Sequence, residues 1–205
     1  LDFAHLPPPP PQRPRRDGSD AADPVVILSI GRKVEKKGYG DLLQALARLP
    51  ANLQWRFEHV GAGGLSEALK AEAASLGIAG RCTWHGAQPQ RAVFAALARA
   101  DLFVLASKRA ADGDRDGLPN VLMEAAHQGL PLVSTHAAAI GEFIEDGVNG
   151  LLVAPGAPDE LAAALARLVA DPELRLRLAA RAADTVRRRF SFDSGVDWIA
   201  DALGG

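Results

Sequence analysis

The sequence predicts an α/β fold, in which a Rossmann-like parallel sheet of about six strands carries helices on both faces and C-terminal helices follow. From Pro24 onward, six short β-rich runs alternate with six helical patterns. Glycines 77, 129 and 147 stand where helices commonly stop. Repeated strand-then-helix order is typical of a parallel sheet, because each helix carries the chain back to begin the next strand in the same direction.

The predicted elements cover the chain in the following order. The strands are Val25–Ile30, Gln54–Val60, Cys82–His85, Leu102–Ala106, Pro131–Thr135 and Gly150–Val153. The helices are Tyr39–Leu49, Leu65–Leu76, Gln90–Arg99, Pro119–Gln128, Ala138–Glu145 and Asp159–Ala170. After Pro172 the pattern is helical to the end, and we expect those helices to pack on the edge of the sheet or on a partner domain.

Composition excludes several classes of protein. A chain of 205 residues with a net charge of −2 suits one α/β domain and gives no electrostatic reason to expect nucleic acid as a partner. Cys82 is the single cysteine, so no internal disulfide can form, and a reducing cytoplasm fits best. No apolar run approaches the roughly 18 to 20 residues that cross a bilayer. We therefore expect a cytoplasmic protein that does not span a membrane.

The first 24 residues differ from the rest of the chain. They contain the proline run Pro7–Pro11 and a charged stretch from Arg13 to Asp23, which cannot form regular ladders. We expect residues 1–24 to be a stiff, solvated interdomain linker and residues 25–205 to form one domain. Because the chain starts at Leu1 rather than methionine, we interpret it as part of a longer protein.

Ligands of such sheets bind beyond the carboxyl ends of the strands, where the strand order reverses. The most informative loop there reads Asp-Gly-Leu-Pro-Asn-Val-Leu-Met-Glu-Ala-Ala, residues 116–126. Pro119 fits the first helical turn, and the free amides of Asn120 and Val121 favour an anion such as a phosphate. The carboxylates of Asp116 and Glu124 flank that anion and can accept hydrogen bonds from sugar hydroxyls. The loop therefore predicts a sugar-nucleotide site.

A second motif follows the first strand. It reads Ser-Ile-Gly-Arg at 29–32 and Lys-Lys-Gly at 36–38, so that cations project over the strand ends. Arg32 can grip phosphate oxygens in a two-pronged fashion and Lys37 supplies a compact charge. Together they could stabilise the charge that develops on a departing nucleoside diphosphate.

Two other motifs suggest different ligands but match their patterns poorly. Gly61-Ala62-Gly63-Gly64 suggests a dinucleotide loop, but the third glycine of that fingerprint would fall on Ser66. Residues 112–117 resemble the opening of a calcium loop whose required glutamate position holds Met123. We expect no obligatory metal and no cofactor, because Arg32 and Lys37 already offer positive charge.

Two further features have alternative interpretations. His85 at a strand end is either near a nucleobase or structural. Arg187-Arg188-Arg189 either faces anionic lipid, which would give peripheral association with the inner face of the cell membrane, or is a solvated helix end that complements the helix dipole.

Four stretches together resemble the C-terminal domain of a family 4 glycosyltransferase of the GT-B fold. Besides the two motifs above, these are Gly-Leu-Pro-Leu-Val-Ser-Thr at 129–135 and Asp-Gly-Val-Asn-Gly-Leu-Leu-Val at 146–153. The resemblance runs from about Val25 to Asp193, and Leu1-Asp2-Phe3 resembles the end of the family's interdomain linker. It implies that this half binds a nucleotide-sugar donor and that an N-terminal half, absent from this chain, binds the acceptor.

The resemblance also implies roles for individual residues. Arg32 and Lys37 would hold the diphosphate beside Gly31, Glu124 the ribose hydroxyls, and the amides of Asn120 and Val121 a phosphate. Asp116 would meet the donor sugar, and the substrate-binding set is completed by Gly117, Leu118 and Pro119. The chain departs from the family pattern in having Asp116 where glutamate is usual and Ala138-Ala139 where paired glycines are common.

These observations lead to one hypothesis and two alternatives. We expect the donor-binding domain of a retaining, metal-independent enzyme that transfers a sugar from a nucleoside diphosphate sugar to a glycan or lipid-linked acceptor. By itself the domain should bind its donor without turnover. The alternatives are one half of a GT-B nucleotide-sugar epimerase and a nucleotide-sugar binding module that has lost activity.

Overall fold

The structure is a computed structural model that describes residues 6–114, 117–137 and 139–190. Within these ranges, parallel strands form one sheet in the order β3-β2-β1-β4-β5-β6. The strands are β1 (Val25–Ile30), β2 (Trp55–Val60), β3 (Cys82–Trp84), β4 (Leu102–Leu105), β5 (Leu132–Thr135) and β6 (Leu151–Val153). The predicted fold class is confirmed.

Helices cover both faces of this sheet. They are α1 (Tyr39–Ala47), α2 (Ser66–Ser75), α3 (Gln90–Arg99), α4 (Asn120–His127), α5 (Ile140–Phe143), α6 (Pro158–Ala170) and α7 (Pro172–Arg189). One apolar layer lies between the sheet and α1, α2 and α6, and the other between the sheet and α3, α4 and α5. Successive β1 residues such as Ile27 and Leu28 point into opposite layers and are fully buried. β1 is therefore the central strand.

Helix α7 packs within this domain. Its Leu174 and Leu178 enter the first apolar layer, and Ala182 and Val186 enter the second. The Asp171 side chain accepts a hydrogen bond of 2.8 Å from the Leu174 amide, which caps the helix before its proline start. The helix lies against α4, α6 and the interior strand β5, so the expectation of packing on the sheet edge is not met in that form, and packing on a partner domain stays a prediction.

Several boundaries differ from prediction for local reasons. Helix α4 begins at Asn120, because Pro119 has an extended ψ of 122° and is the N-cap rather than the first helical residue. Strand β5 begins after Pro131, which has no N–H to donate to the ladder. Helix α5 ends where Ile144 becomes extended, so it is shorter than the predicted Ala138–Glu145, and Ala138 lies outside the described residues.

The proline-rich segment packs on the domain. As expected, residues 6–24 form neither helix nor strand. However, the Arg13 guanidinium donates to the carbonyls of Ala98 at 3.0 Å and Gln128 at 2.6 Å, and Arg16 donates to buried Asp101 at 3.0 and 3.1 Å. The expectation of a solvated segment is therefore wrong at these arginines, because helix-end carbonyls and a buried carboxylate need donors. A role of residues 1–24 as an interdomain linker stays a prediction.

Candidate functional site

The strand order places two loops next to each other at the carboxyl edge of the sheet. β1 pairs with β2 on one side and with β4 on the other, so the chain order reverses beside β1. The loop after β1, residues 31–38, is called the β1 loop below, and the loop after β4, residues 106–119, the β4 loop. Such a reversal is where open parallel sheets bind ligands.

The β1 loop brings Gly31, Arg32 and Lys37 together. The Gly31 amide donates to the Val60 carbonyl at 3.0 Å, which continues the sheet pairing by one residue. A Cβ at Gly31 would lie 2.8 Å from the Tyr39 hydroxyl and 3.6 Å from Lys37 Cε, so the lysine side chain runs alongside the glycine. Arg32 is exposed at the same edge. The loop therefore presents two cations beside a position with no side chain.

The β4 loop ends at the N-terminus of α4. Gly117 is exposed and Leu118 packs partly against the second apolar layer. The Leu122 amide donates to the Pro119 carbonyl at 3.0 Å, and the amides of Asn120 and Val121 precede it in the first turn, where helices have no internal partners for them. The predicted anion site at this helix start is therefore compatible with Pro119 as its N-cap. Asp116 lies outside the described residues.

Glu124 is the one predicted carboxylate whose surroundings the structure describes. It is half-buried in the second turn of α4, and burial raises the pKa of its carboxyl group. Among the described residues, its carboxylate has no hydrogen-bond or ion-pair partner. Buried carboxylates normally have donors, so hydroxyl groups of a bound molecule would satisfy this one.

The glycine-rich loop after β2 supports the β1 loop. A Cβ at Gly61 would lie 2.0 Å from the Gly31 carbonyl oxygen, and one at Gly63 would lie 2.4 Å from the Lys33 carbonyl oxygen. These glycines allow two backbones to approach closely. Their position thus has a packing explanation that does not require a dinucleotide.

The structure buries Lys33, which the sequence does not predict. Its side chain is buried, donates from Nζ to the Gly61 carbonyl at 2.9 Å and lies 5.2 Å from the Trp84 ring centroid. Burial lowers the pKa of this amine, and the charge of Lys70 lowers it further. No signal in the sequence distinguishes this lysine from a solvated one between Arg32 and Val34.

Beneath the β1 loop lies a neutral histidine. His59 in β2 is fully buried and meets the Tyr39 ring edge-on, with centroids 4.6 Å apart. Burial, followed by the charge of Lys33, lowers the pKa of His59 to about 3. The imidazole therefore adds no charge below the two predicted phosphate-binding cations.

His85 belongs to an ion cluster. Its Nε2 lies 3.0 Å from Glu58 Oε2, to which Arg99 donates at 2.6 Å. Burial alone would raise the pKa of Glu58, but its hydrogen bonds and the charges of Arg99 and His85 lower it overall. The structural interpretation of His85 is supported by this geometry.

The described residues contain neither a group suited to a metal ion nor a helix suited to crossing a membrane. Within residues 6–114, 117–137 and 139–190, no three His, Cys, Asp or Glu side chains are grouped so that they could hold a metal ion. None of the helices in those ranges has the length and apolar character that a membrane crossing requires. Independence from metal stays a prediction.

The chain is similar to one family of known proteins. Residues 12–185 match the family described as glycosyl transferases group 1. The lipopolysaccharide core biosynthesis glycosyltransferase LpsE of Rhizobium meliloti is 38% identical over 176 residues, which cover 86% of this chain and 48% of LpsE. The amylovoran biosynthesis glycosyltransferase AmsK of Erwinia amylovora is 40% identical over 147 residues, which cover 71% of this chain and 36% of AmsK. The chain thus spans half or less of these relatives.

Solved structures show the same fold. The lipopolysaccharide outer core galactosyltransferase WaaB in its apo form has a TM-score of 0.78 at 25% identity, covering 100% of this chain and 54% of WaaB. Anabaena Alr3699/HepE in complex with UDP has a TM-score of 0.77 at 25% identity, covering 90% of this chain and 50% of HepE. The C-terminal domain of LpcC from Francisella tularensis, at 22% identity and a TM-score of 0.77, is covered to 99% and shows the fold alone. These neighbours are GT-B glycosyltransferases.

Proposed function

The chain belongs to the group 1 glycosyltransferase family, and we propose that it is the donor-binding domain of a retaining enzyme that transfers a hexosyl group from a nucleoside diphosphate sugar. The acceptor is a glycan or a lipid-linked glycan, bound by an N-terminal domain of the intact protein. The observation that supports this proposal is the pairing of β1 with β4 at the reversal of strand order, which sends the loop with Arg32 and Lys37 and the segment leading to α4 and half-buried Glu124 to the same edge of the sheet. This domain by itself binds the donor without turnover.

Each part of the donor has a matching chemical group. Arg32 and Lys37 hold the diphosphate beside Gly31 and stabilise its charge as it leaves. The amides of Asn120 and Val121 bind a phosphate, while Glu124 accepts hydrogen bonds from ribose hydroxyls. At the sugar end of the donor, Asp116 meets the sugar. Gly117, Leu118 and Pro119 complete the substrate-binding set and lead from Asp116 to α4. That HepE was solved with UDP supports a nucleotide donor for the family.

Polysaccharide assembly is the proposed setting. The relatives LpsE and AmsK are named for lipopolysaccharide core and amylovoran biosynthesis. We place the protein in the cytoplasm, at the inner face of the membrane, where the exposed arginines 187–189 of α7 contact anionic lipid. Co-sedimentation with phosphatidylglycerol vesicles that is unaffected when these three arginines are changed to glutamine would contradict the lipid contact.

The test of the proposed reaction is sugar transfer by the full-length protein that contains this chain. Proton NMR of the product should show that the anomeric configuration of the donor sugar is retained. Turnover should be lost in Lys37→Ala and kept in Arg177→Ala, which removes an exposed cation on α7. A product of inverted configuration, or a donor that is epimerised without any acceptor, would contradict the proposal. Donor binding without transfer, unaltered by Asp116→Glu, would indicate the inactive binding module instead.

A further inference from the structure

The β1 and β4 loops are joined by several side-chain contacts outside the proposed ligand groups. Lys36 Nζ lies 3.1 and 3.0 Å from the two carboxylate oxygens of Asp114. Glu35 accepts a hydrogen bond of 3.1 Å from the Ala111 amide. Each contact joins a residue near Lys37 to a residue of the segment that leads toward α4.

Further backbone and side-chain contacts lie where these two loops meet. The Lys108 amide donates to the Lys36 carbonyl at 2.8 Å, and Lys108 Nζ lies 2.9 Å from Asp41 at the start of α1. Gly38 has a φ of 64°, and a Cβ there would lie 1.9 Å from the Ala106 carbonyl oxygen. The described residues 106–114 of the β4 loop therefore pack directly against the β1 loop.

Asp112 and Asp114, from the stretch that resembles the opening of a calcium loop, make contacts within the β4 loop and with the β1 loop. Asp112 Oδ1 accepts a hydrogen bond of 2.9 Å from the Asp114 amide, while the Asp114 carboxylate faces Lys36. The Ala110 amide in turn donates to the Asp114 carbonyl at 2.9 Å. Asp112 thus shapes the turn, and Asp114 connects that turn to the β1 loop.

We propose that Lys36 and Asp114 are positioning residues, whose ion pair fixes the β1 loop against the β4 loop so that Lys37 and the α4 N-terminus meet the same diphosphate. The inference rests on the proposed function. A diphosphate held between two separate loops binds best when their separation is already set in the free protein, since ordering them on binding would cost affinity. Neither positioning side chain needs to touch the donor.

The direction of the change in nucleotide affinity distinguishes a positioning role of Asp114 from a purely electrostatic effect of its charge. Asp114→Ala removes a negative charge near a diphosphate, so electrostatics alone predicts tighter binding. Positioning predicts weaker binding, by roughly tenfold, because a ligand group is displaced by part of an ångström. Asp112→Asn is the matched control, because it removes the same charge from the same turn and keeps an acceptor for the Asp114 amide. Its affinity should equal or exceed that of the wild type.

The measurement is calorimetric titration of the chain with whichever of UDP, GDP and ADP binds best to the wild type. In a Lys36→Met background, Asp114→Ala should have no further effect, because the two residues act as a pair. The reversed pair Lys36→Glu with Asp114→Lys should recover most of the lost affinity. Thermal melts of each variant check folding, and the 56% exposed Asp114 side chain is not part of the core.

The outcomes separate this inference from the proposed function. If Asp114→Ala binds as tightly as the wild type or more tightly, the positioning role is wrong and the donor site stands. If the reversed pair stays as weak as the single variants, the ion pair is not the cause and the inference also falls. If the wild type binds none of the three nucleotides, the proposed function and this inference fail together.

Discussion

At the scale of single residues, Glu124 is the side chain whose chemistry depends most on a bound molecule. Its carboxylate is half-buried, has no partner among the described residues, and has a pKa raised by burial. Hydroxyl donors from a ligand would favour the charged form, which burial disfavours. A group of this kind couples binding to pH.

We predict that nucleoside diphosphate affinity falls as the pH is lowered through the raised pKa of Glu124, because the protonated carboxyl loses acceptor capacity. Glu124→Gln should weaken binding by roughly tenfold at neutral pH, since it replaces charge-assisted hydrogen bonds with neutral ones. The variant should also lose the pH dependence that Glu124 causes. Calorimetric titrations between about pH 4 and pH 8 would measure both effects around the usual carboxyl range. An identical pH profile in the variant would exclude Glu124 as the responsible group.

A second residue-scale prediction concerns Gly38. Alanine there would strain a φ of 64° and place Cβ 1.9 Å from the Ala106 carbonyl oxygen, so Gly38→Ala should lower the free energy of unfolding by about 3 kcal/mol. Gly156→Ala is the matched control, because its φ is 72° but no atom lies within 4 Å of the added Cβ. The control should lose only about 1 kcal/mol. If urea unfolding showed equal losses of free energy in both variants, the added Cβ at position 38 would not clash with the Ala106 carbonyl oxygen.

At the scale of elements, the proline-rich segment acts through side chains rather than regular structure. The Arg13 guanidinium joins the C-terminal ends of α3 and α4, and burial lowers its pKa to about 10. Buried Arg175 of α7 donates to the Val169 carbonyl at the end of α6 at 3.0 Å. Carbonyls at helix ends lack internal donors, so these arginines stabilise several helices at once.

We therefore predict that Arg13→Met lowers the free energy of unfolding by about 2 kcal/mol, because it leaves partly buried carbonyls without a donor. Arg15→Met provides the control, since Arg15 pairs with Glu173 with side chains 66% and 64% exposed. Exposed pairs contribute about 0.5 kcal/mol or less. Urea denaturation of both variants makes the comparison, and a loss in Arg13→Met no larger than that in the control would mean that the segment does not stabilise the domain.

For the whole molecule, the hydrophobic pattern of the sequence predicts the helices and strands, but it does not predict the contacts through which they pack. Alternating apolar runs and helix signals predicted the order and type of the elements, since β1, β2, β4, β5 and β6 bury most of their residues, whereas the edge strand β3 is only partly buried. The loop motifs were predicted because parallel strands place their carboxyl ends at one edge. The structure pairs β1 with β4, so the loops that follow these strands leave the sheet side by side, and the binding roles of Gly31, Arg32 and Lys37 stay predictions.

Contacts between residues distant in sequence could not be predicted in this way. The burial of Lys33 depends on the Gly61 carbonyl and Trp84, which approach it only in the folded sheet. Likewise, the segment around Arg13 looks solvated in sequence, and the carbonyls that it binds lie 85 or more residues away. Local pattern carries no information about such partners.

The proposed donor site is built from the β1 loop and α4, and calorimetric titration of the chain with UDP, GDP and ADP measures its occupancy. We predict saturable binding of one nucleotide that is lost in both Arg32→Ala and Glu124→Ala and unchanged in Arg177→Ala, whose side chain is exposed on α7. Nucleotide binding that survives in both site variants would show that the β1 loop and α4 do not form the donor site.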